Sequence, residues 1–262
     1  MSARGDSTLR GHYPLETELL ARAEEKHRGR AVDGEIICPY FKEGGRFTIG
    51  NVHYVKYGNE LIPAGETEFA EDKTFGYHCS NLKEYVEEKT KGAYKAADVT
   101  CISLEDIHNM DIDKIEAQLM AVKDFNKIVV NAVGYADVKV FCTALYQGMA
   151  KGKVFMFRTA AAIVKVMGAV TDQPLLTRGQ MVVRETDKGG IIVVGSHTDK
   201  TTKQVEALKE LDGIEFIELD ATLVKDDAAF EAEVQRCLDQ EEACIREGKT
   251  SMLLHKPRSD HR

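Results

Sequence analysis

The chain has 262 residues, of which 43% are hydrophobic and 30% are charged, and its formal net charge is −8 at pH 7. This length suits one large domain or two ordinary ones. The net negative charge argues against a nucleic-acid partner, because binding to phosphates depends on clustered Lys and Arg. The apolar runs are too short to span a bilayer and Met1 leads into a polar segment, so we expect no membrane partner and no signal peptide.

The chain opens on a segment rich in hydrogen-bonding side chains. Residues 4–14 combine two arginines and an aspartate with two hydroxyl side chains, a histidine and two glycines. Arg4 and Arg10 are suited to bind a carboxylate as bidentate forks. Asp6, Ser7 and Thr8 are suited to the hydroxyls of a small polyhydroxylated ligand. A capped turn that starts a helix explains the same residues equally well, so both interpretations stay open.

Helix and strand patterns follow this predicted loop. Apolar residues at helical spacing, including Leu15 and Leu19, predict an amphipathic helix over residues 14–30, and a short strand follows at 35–39. Residues 41–48, which contain Gly44, Gly45 and Arg46, are predicted to form a loop. Residues 52–55 and 60–62 are predicted to pair as a hairpin.

Strands and helices then alternate through the middle of the chain. Helices are predicted at 81–90, 113–122, 138–150 and 159–167, and strands at 98–104, 128–132 and 154–157. This alternation predicts an α/β unit whose helices cover a largely parallel sheet. Arg158 falls between the last strand and helix, where it is either an anion ligand or a solvated or carboxylate-paired side chain.

A second unit begins after the polar residues 174–188. We predict one domain over residues 1–185 and another over 188–262, each a three-layer α/β unit with a largely parallel sheet. In the second domain, Gly195, Ser196 and Thr198 lie between a predicted strand and a predicted helix. Such a turn at the carboxyl end of a strand suits phosphate, although an N-capped turn explains it as well.

Other polar residues give weaker signals. Glu66, Glu68 and Asp72 with Asn81 include candidates for a general base or a Mg²⁺ ligand, but acidic runs are usually solvated. The histidines show no zinc-binding spacing, so no metal site is assigned to them. The six cysteines form no C-x-x-C pair and indicate reduced thiols in a cytoplasmic protein. Cys38 and Cys79 lie in polar segments, which allows a reactive thiol, but packing of a free cysteine is the favoured interpretation.

Six segments, in this order, resemble the four-carbon acid sugar kinase family. They are residues 4–12 (RGDSTLRGH), 38–41 with 44–46 (CPYF, GGR), 66–70 (ETEFA), 75–77 with 80–82 (FGY, SNL), 157–161 (FRTAA), and Gly195-Ser196 before Thr201 and Gln204. The resemblance implies phosphorylation of a four-carbon sugar acid, such as threonate, erythronate or an oxo-tetronate, with ATP and Mg²⁺. It also implies two α/β domains, the first for the sugar acid and the second for the nucleotide.

The resemblance assigns residues to each side of the reaction. It places Arg4, Asp6, Ser7 and Arg10 on the sugar-acid side, with Arg158 as a neighbour. It places Gly195, Ser196 and Thr198 at the start of the nucleotide side, and it assigns no catalytic base. The family's usual turn has a serine where this chain has Thr198 and a proline where it has Asp199.

The chain is also shorter than the family pattern. The opening Ala-Asp-Asp-x-Thr-Gly segment and the later glycine-rich loops of the nucleotide domain have no counterpart, so both domains are expected to be incomplete. This predicts little or no kinase activity from the chain alone. A sugar-acid binding module without ATP chemistry and a remnant that does not fold stably are the two alternatives.

Overall fold

The structure, a computed structural model, describes residues 2–4, 8–182, 186–196 and 199–255. It divides into two compact units, Met1–Gln173 and Pro174–Arg262. Asp6, Ser7, Thr198 and the tail after residue 255 lie outside the described residues. No described helix is both long and apolar enough to cross a membrane.

The first unit contains eight described strands and six described α-helices. In chain order they are β1 (Ser2–Arg4), α1 (Leu15–Arg28), β2 (Gly34–Cys38), β3 (Arg46–Ile49), β4 (Val52–Tyr57), β5 (Glu60–Pro63), α2 (Leu82–Lys89), β6 (Thr100–Ile102), α3 (Leu104–His108), α4 (Ile112–Ala121), β7 (Asn126–Val130), α5 (Tyr135–Ala150), β8 (Phe155–Thr159) and α6 (Ala161–Met167).

A five-stranded parallel sheet in the order β1-β8-β2-β7-β6 forms the centre of this unit. Because successive side chains of a strand point to opposite faces, β2 contributes to two hydrophobic clusters. Ile36 and Cys38 join the cluster that includes α4 and α5, whereas Ile37 joins the cluster that includes α2. Both faces of the sheet are therefore covered, and the predicted α/β class is confirmed.

A buried ion pair crosses the amino ends of β2 and β7. Glu35 and Lys127 are register partners, and Lys127 Nζ lies 2.8 Å from Glu35 Oε2. Both side chains are inaccessible to solvent, and the ammonium group also lies 3.5 Å from the centre of the Phe125 ring. Burial lowers the pKa of Lys127, while Glu35 opposes this effect. Each charge is tolerated in the core because the other is present, so removing either partner would leave an uncompensated buried charge.

A small antiparallel sheet, β3-β4-β5, is inserted after β2. The predicted hairpin is confirmed: Tyr57 pairs with Glu60 around Gly58, which has a φ of 59°. The predicted loop over residues 41–48 is wrong in its last part, because Arg46–Ile49 pairs with β4. Arg46 is thereby fixed in a strand.

Two predictions near the amino end also change. Arg4, predicted in a loop, ends β1 and is the register partner of Thr159 in β8. The helix predicted next is confirmed, but the side chains of Leu15 and Leu19 are about half exposed, whereas Thr17 is buried. The carboxyl end of β1 therefore lies beside that of β8.

The second unit has a smaller parallel sheet in the order β10-β11-β9. Its elements are α7 (Arg178–Met181), β9 (Ile191–Val194), α8 (Asp199–Leu208), β10 (Ile214–Leu219), α9 (Asp227–Arg246) and β11 (Thr250–His255). Cys237 and Cys244 of α9 are buried with Met252 of β11. The unit is therefore an α/β layer structure, as predicted.

Candidate functional site

The loop that follows β1, whose described residues are 8–14, is anchored to the core, while the side chains of Arg10 and His12 remain accessible to solvent. The side chains of Leu9 and Tyr13 are buried in the hydrophobic cluster on the α2 side of the sheet. Thr8 and Leu9 have φ values of 54° and 65°, which non-glycine residues seldom adopt. Such conformations cost on the order of 1–3 kcal/mol each and cluster at functional sites. The loop is therefore a strained segment at the carboxyl edge of the sheet, where α/β sheets bind ligands.

Arg158 donates hydrogen bonds to the backbone of this loop. It lies within β8, not between the strand and the following helix as predicted, and its side chain is 3% exposed. Its Nη2 donates to the carbonyls of Leu9 and Arg10, both at 3.3 Å. Its Nη1 lies 3.7 Å from Glu16 Oε1, and its guanidinium lies 4.6 Å from the centre of the Tyr13 ring. The structure thus brings Arg158 and Arg10 together through the loop backbone.

Arg10 reaches from the loop to the segment after the small sheet. Its Nη1 lies 3.2 Å from Asp72 Oδ2, and its Cζ lies 5.3 Å from the centre of the Phe69 ring. The backbone amides of Phe75 and Thr74 and the Arg10 guanidinium lower the pKa of Asp72. Arg10 and Asp72 each keep about a quarter of their side-chain surface exposed, so solvent reaches the pair.

Arg46 provides a second guanidinium at the same place. Its Cζ lies 5.0 Å from the centre of the Phe69 ring, and its Nε donates to Thr8 Oγ1 at 2.8 Å. Its Nη1 donates to the Gly44 carbonyl. Burial lowers the pKa of Arg46, and the charge of Arg10 acts in the same direction. Arg10, Arg46, Phe69 and Thr8 are called the arginine ledge below.

Sequence reasoning gave Arg46 no role. An arginine directly after two glycines was visible, but residues 41–48 were predicted as a loop with no fixed direction for its side chains. The pairing of β3 with β4 supplies that direction. One signal could have found Arg46. In a chain of net charge −8, an anion site needs more than one cationic side chain, and Arg46 is such a side chain.

The acidic candidates separate into different roles. Glu66 and Glu68 are exposed, whereas Asp72 pairs with Arg10. Asn81 caps α2 by accepting a hydrogen bond from the Lys83 amide at 3.0 Å. Among the described residues, no group of three or more His, Cys, Asp or Glu is arranged to hold a metal ion.

The cysteines singled out in the sequence lie in environments that favour the neutral thiol. Burial raises the pKa of Cys38 to about 12. Burial and the neighbouring Glu88 raise the pKa of Cys79 to about 11. Since the thiolate is the reactive form, packing explains both residues better than nucleophilic chemistry.

The predicted nucleotide-side turn lies in the second unit. Gly195 and Ser196 follow the carboxyl end of β9, and α8 begins at Asp199. A Cβ built on Gly195 would meet no described atom within 4 Å, so the space beside the backbone there is open. Open backbone between a strand and a helix start fits a phosphate group.

Two family models match the chain in the same order as its two units. A sugar-binding N-terminal domain matches residues 1–167, and a nucleotide-binding C-terminal domain matches residues 191–262. No curated protein matches the chain.

Several solved structures are similar to the chain at low sequence identity, and the first of those described next shows the same fold. A Salmonella typhimurium LT2 protein named as a candidate tRNA synthase has a TM-score of 0.54 and 13% identity, with 95% of this chain and 55% of that chain covered. A Haemophilus influenzae protein of family DUF1537 has a TM-score of 0.48 and 16% identity, with 98% and 57% covered. A Bordetella bronchiseptica DUF1537 domain with bound citrate has a TM-score of 0.44 and 19% identity, with 100% and 56% covered.

The chain thus spans slightly more than half the length of each of these relatives. The match to the sugar-binding N-terminal domain extends over residues 1–167, which is more than half of the chain. The nucleotide-binding domain accounts for the second unit from β9 onward. The protein therefore belongs to the family defined by a sugar-binding N-terminal domain followed by a nucleotide-binding C-terminal domain.

Proposed function

We propose that the protein binds a four-carbon sugar acid at the arginine ledge and serves its phosphorylation by ATP. The observation that carries this proposal is the convergence of Arg10 and Arg46 on one aromatic ring, 5.3 and 5.0 Å from its centre. The ledge lies in the unit matched by the sugar-binding domain. Threonate, erythronate and oxo-tetronates are the substrate classes that we propose.

The charges of the ledge favour a carboxylate ligand. Two guanidiniums near one ring repel each other, and the ion pair described for Asp72 is with Arg10. A ligand carboxylate would relieve this repulsion and would accept hydrogen bonds from a planar fork. We propose that Arg4, Asp6 and Ser7 contribute the remaining sugar-acid contacts, and that Arg158 acts on the same side.

The nucleotide side is assigned to the second unit. We propose that Gly195, Ser196 and Thr198 contact the phosphates of ATP through the turn after β9. Phosphoryl transfer depends mainly on positioning and on neutralising phosphate charge, which Mg²⁺ supplies when it is bound with the nucleotide. Mg²⁺ in such sites is held largely by phosphates and water, and we assign no side chain of this chain to it.

Calorimetric titration of the full chain with threonate and with erythronate tests the acid site. The variants Arg10→Gln and Arg46→Gln should each weaken binding roughly 10- to 100-fold, since a hydrogen bond to a charged group contributes about 1.5–3 kcal/mol. The matched control is Arg22→Gln, because Arg22 lies on α1 with 76% of its side chain exposed. Failure of the unmodified chain to bind either acid, or equal weakening in the control, would overturn the proposed site.

The kinase step is tested separately with threonate, ATP and Mg²⁺. Formation of ADP that requires threonate, with phosphothreonate identified by mass spectrometry, supports the kinase function and would overturn the prediction that this chain alone has little or no activity. Threonate binding without any binding of ATP at millimolar concentration supports the alternative of a binding module instead. Titration with threonate and titration with ATP therefore distinguish a chain that binds both acid and nucleotide from one that binds the acid alone.

A further inference from the structure

The backbone of the loop after β1 is held by three buried side chains. Tyr77 Oη donates to the Thr8 carbonyl at 2.9 Å, and Tyr85 Oη donates to the Leu9 carbonyl at 2.7 Å. Arg158 adds its two bonds to the carbonyls of Leu9 and Arg10. Three consecutive carbonyls of the strained segment are thus fixed from one side. Tyr77, Tyr85 and Arg158 are called the clamp.

The clamp is a packed unit. The rings of Tyr77 and Tyr85 meet edge to face with centroids 5.5 Å apart, and Tyr85 stacks on Tyr13 at 5.7 Å. Arg158 lies over the other partner in this stack, Tyr13. All three clamp side chains are at most 3% exposed. The two tyrosine hydroxyls and Arg158 Nη2 therefore donate to the loop and not to solvent.

The direction of these bonds orients the rest of the loop. In a planar trans peptide the C=O and N–H groups point in opposite directions. Fixing the carbonyls of Thr8, Leu9 and Arg10 therefore turns the next three amides, those of residues 9–11, away from the clamp. It also fixes the Cα from which the Arg10 side chain extends to Asp72 and Phe69.

We propose that Tyr77, Tyr85 and Arg158 are positioning residues, which hold the loop in its left-handed conformation so that Arg10 meets the carboxylate of the sugar acid. This rests on the proposed function, because the carboxylate is the ligand of the arginine ledge. It gives Arg158 a role through the backbone in place of the direct ligand role predicted from the sequence. The two tyrosines were not singled out in the sequence for any such role.

The test removes single hydroxyl groups and keeps the rings. Tyr77→Phe and Tyr85→Phe should each weaken threonate binding about tenfold, the effect of one lost hydrogen bond near 1.4 kcal/mol. In the double variant, Arg10→Gln should have little further effect, since Arg10 is no longer directed at the ligand. Arg158→Lys should weaken binding more than either tyrosine variant, because the fork that reaches two carbonyls is lost.

The matched control is Tyr40→Phe. Tyr40 is also fully buried, packs edge to face on Tyr135, and has a hydroxyl without a hydrogen-bond partner among the described residues. It belongs to the cluster on the other face of the sheet from the clamp. This variant should bind threonate as the unmodified chain does. Far-ultraviolet circular dichroism establishes that each variant is folded.

A readout without ligand separates this inference from the proposed function. Phenylglyoxal modification of Arg10, followed by peptide mass spectrometry, should be several-fold faster in Tyr77→Phe/Tyr85→Phe than in the unmodified chain or in Tyr40→Phe. If the unmodified chain does not bind threonate, the proposed function fails, while the Arg10 reactivity still tests the clamp. Folded variants with unchanged Arg10 reactivity, or with an undiminished effect of Arg10→Gln on binding, would overturn the clamp.

Discussion

The stability of the first unit should fall as the pH is lowered, because one histidine is buried in its neutral form. His53 in β4 is inaccessible to solvent, and its Nδ1 lies 3.0 Å from Thr48 Oγ1. Burial lowers the pKa of His53 to about 3, and the positive charge of Arg46 acts in the same direction. In the unfolded chain the imidazole regains a pKa of about 6.5. Lowering the pH therefore protonates His53 in the unfolded chain before it does so in the folded chain, and this favours unfolding.

The sign and size of the effect follow from these two pKa values. A lowered pKa in the folded state gives stability that is complete above pH 6.5 and is lost as the pH falls toward 3. Each pH unit in that window corresponds to about 1.4 kcal/mol for one proton. Between pH 7 and pH 5, His53 should therefore remove about 2 kcal/mol from the free energy of unfolding.

Urea unfolding at pH 7, 6 and 5 measures this contribution. The chain has no tryptophan, so circular dichroism is the suitable signal. His53→Gln should lose about 2 kcal/mol less than the unmodified chain across this range, whatever its stability at pH 7. His27→Gln, at an exposed position on α1, is the matched control and should follow the unmodified chain. Parallel pH profiles for His53→Gln and the unmodified chain would refute the reasoning.

Three further predictions concern the core and its caps. Lys127→Met leaves the Glu35 charge buried alone and should lower the free energy of unfolding, measured with urea, by about 3–5 kcal/mol. The double variant Glu35→Leu/Lys127→Met should lower it much less. Equal losses in the two variants would contradict the pairing. Asp137→Ala removes the acceptor of two backbone amides at the start of α5 and should cost about 1 kcal/mol, so an unchanged melting temperature would count against this cap. Cys38, with its pKa raised to about 12, should react with Ellman's reagent only as the first unit unfolds; rapid labelling of the folded chain would show otherwise.

The alternation of strands and helices was predictable because its signals are local. The apolar run at 128–132 and the periodic residues at 113–122 correspond to β7 and α4, with boundaries shifted by one or two residues. The Gly58 turn likewise carries its own conformational signal. These features depend on side-chain periodicity and turn chemistry within a few residues.

The missed features depend on distant partners. β1 has three residues, and its strand conformation is fixed by β8, about 150 residues later in the chain. Arg46 lies in a strand because of the pairing with β4, which no pattern within residues 41–48 reveals. The roles of Tyr77 and Tyr85 likewise require the loop after β1 to lie beside them. Sequence reasoning supplied Thr8 and Arg10 of the candidate site but not Arg46, and the fold supplies the orientation of all three.

The most direct test of the central claim compares two ligands that differ only at the charged group. Threonate and threitol share four carbons and their hydroxyl pattern, but threitol has an alcohol in place of the carboxylate. If the arginine ledge formed by Arg10 and Arg46 binds a sugar acid, calorimetry should show saturable binding of threonate and no measurable binding of threitol under the same conditions. Equal binding of the two ligands, or binding of neither, would contradict the account.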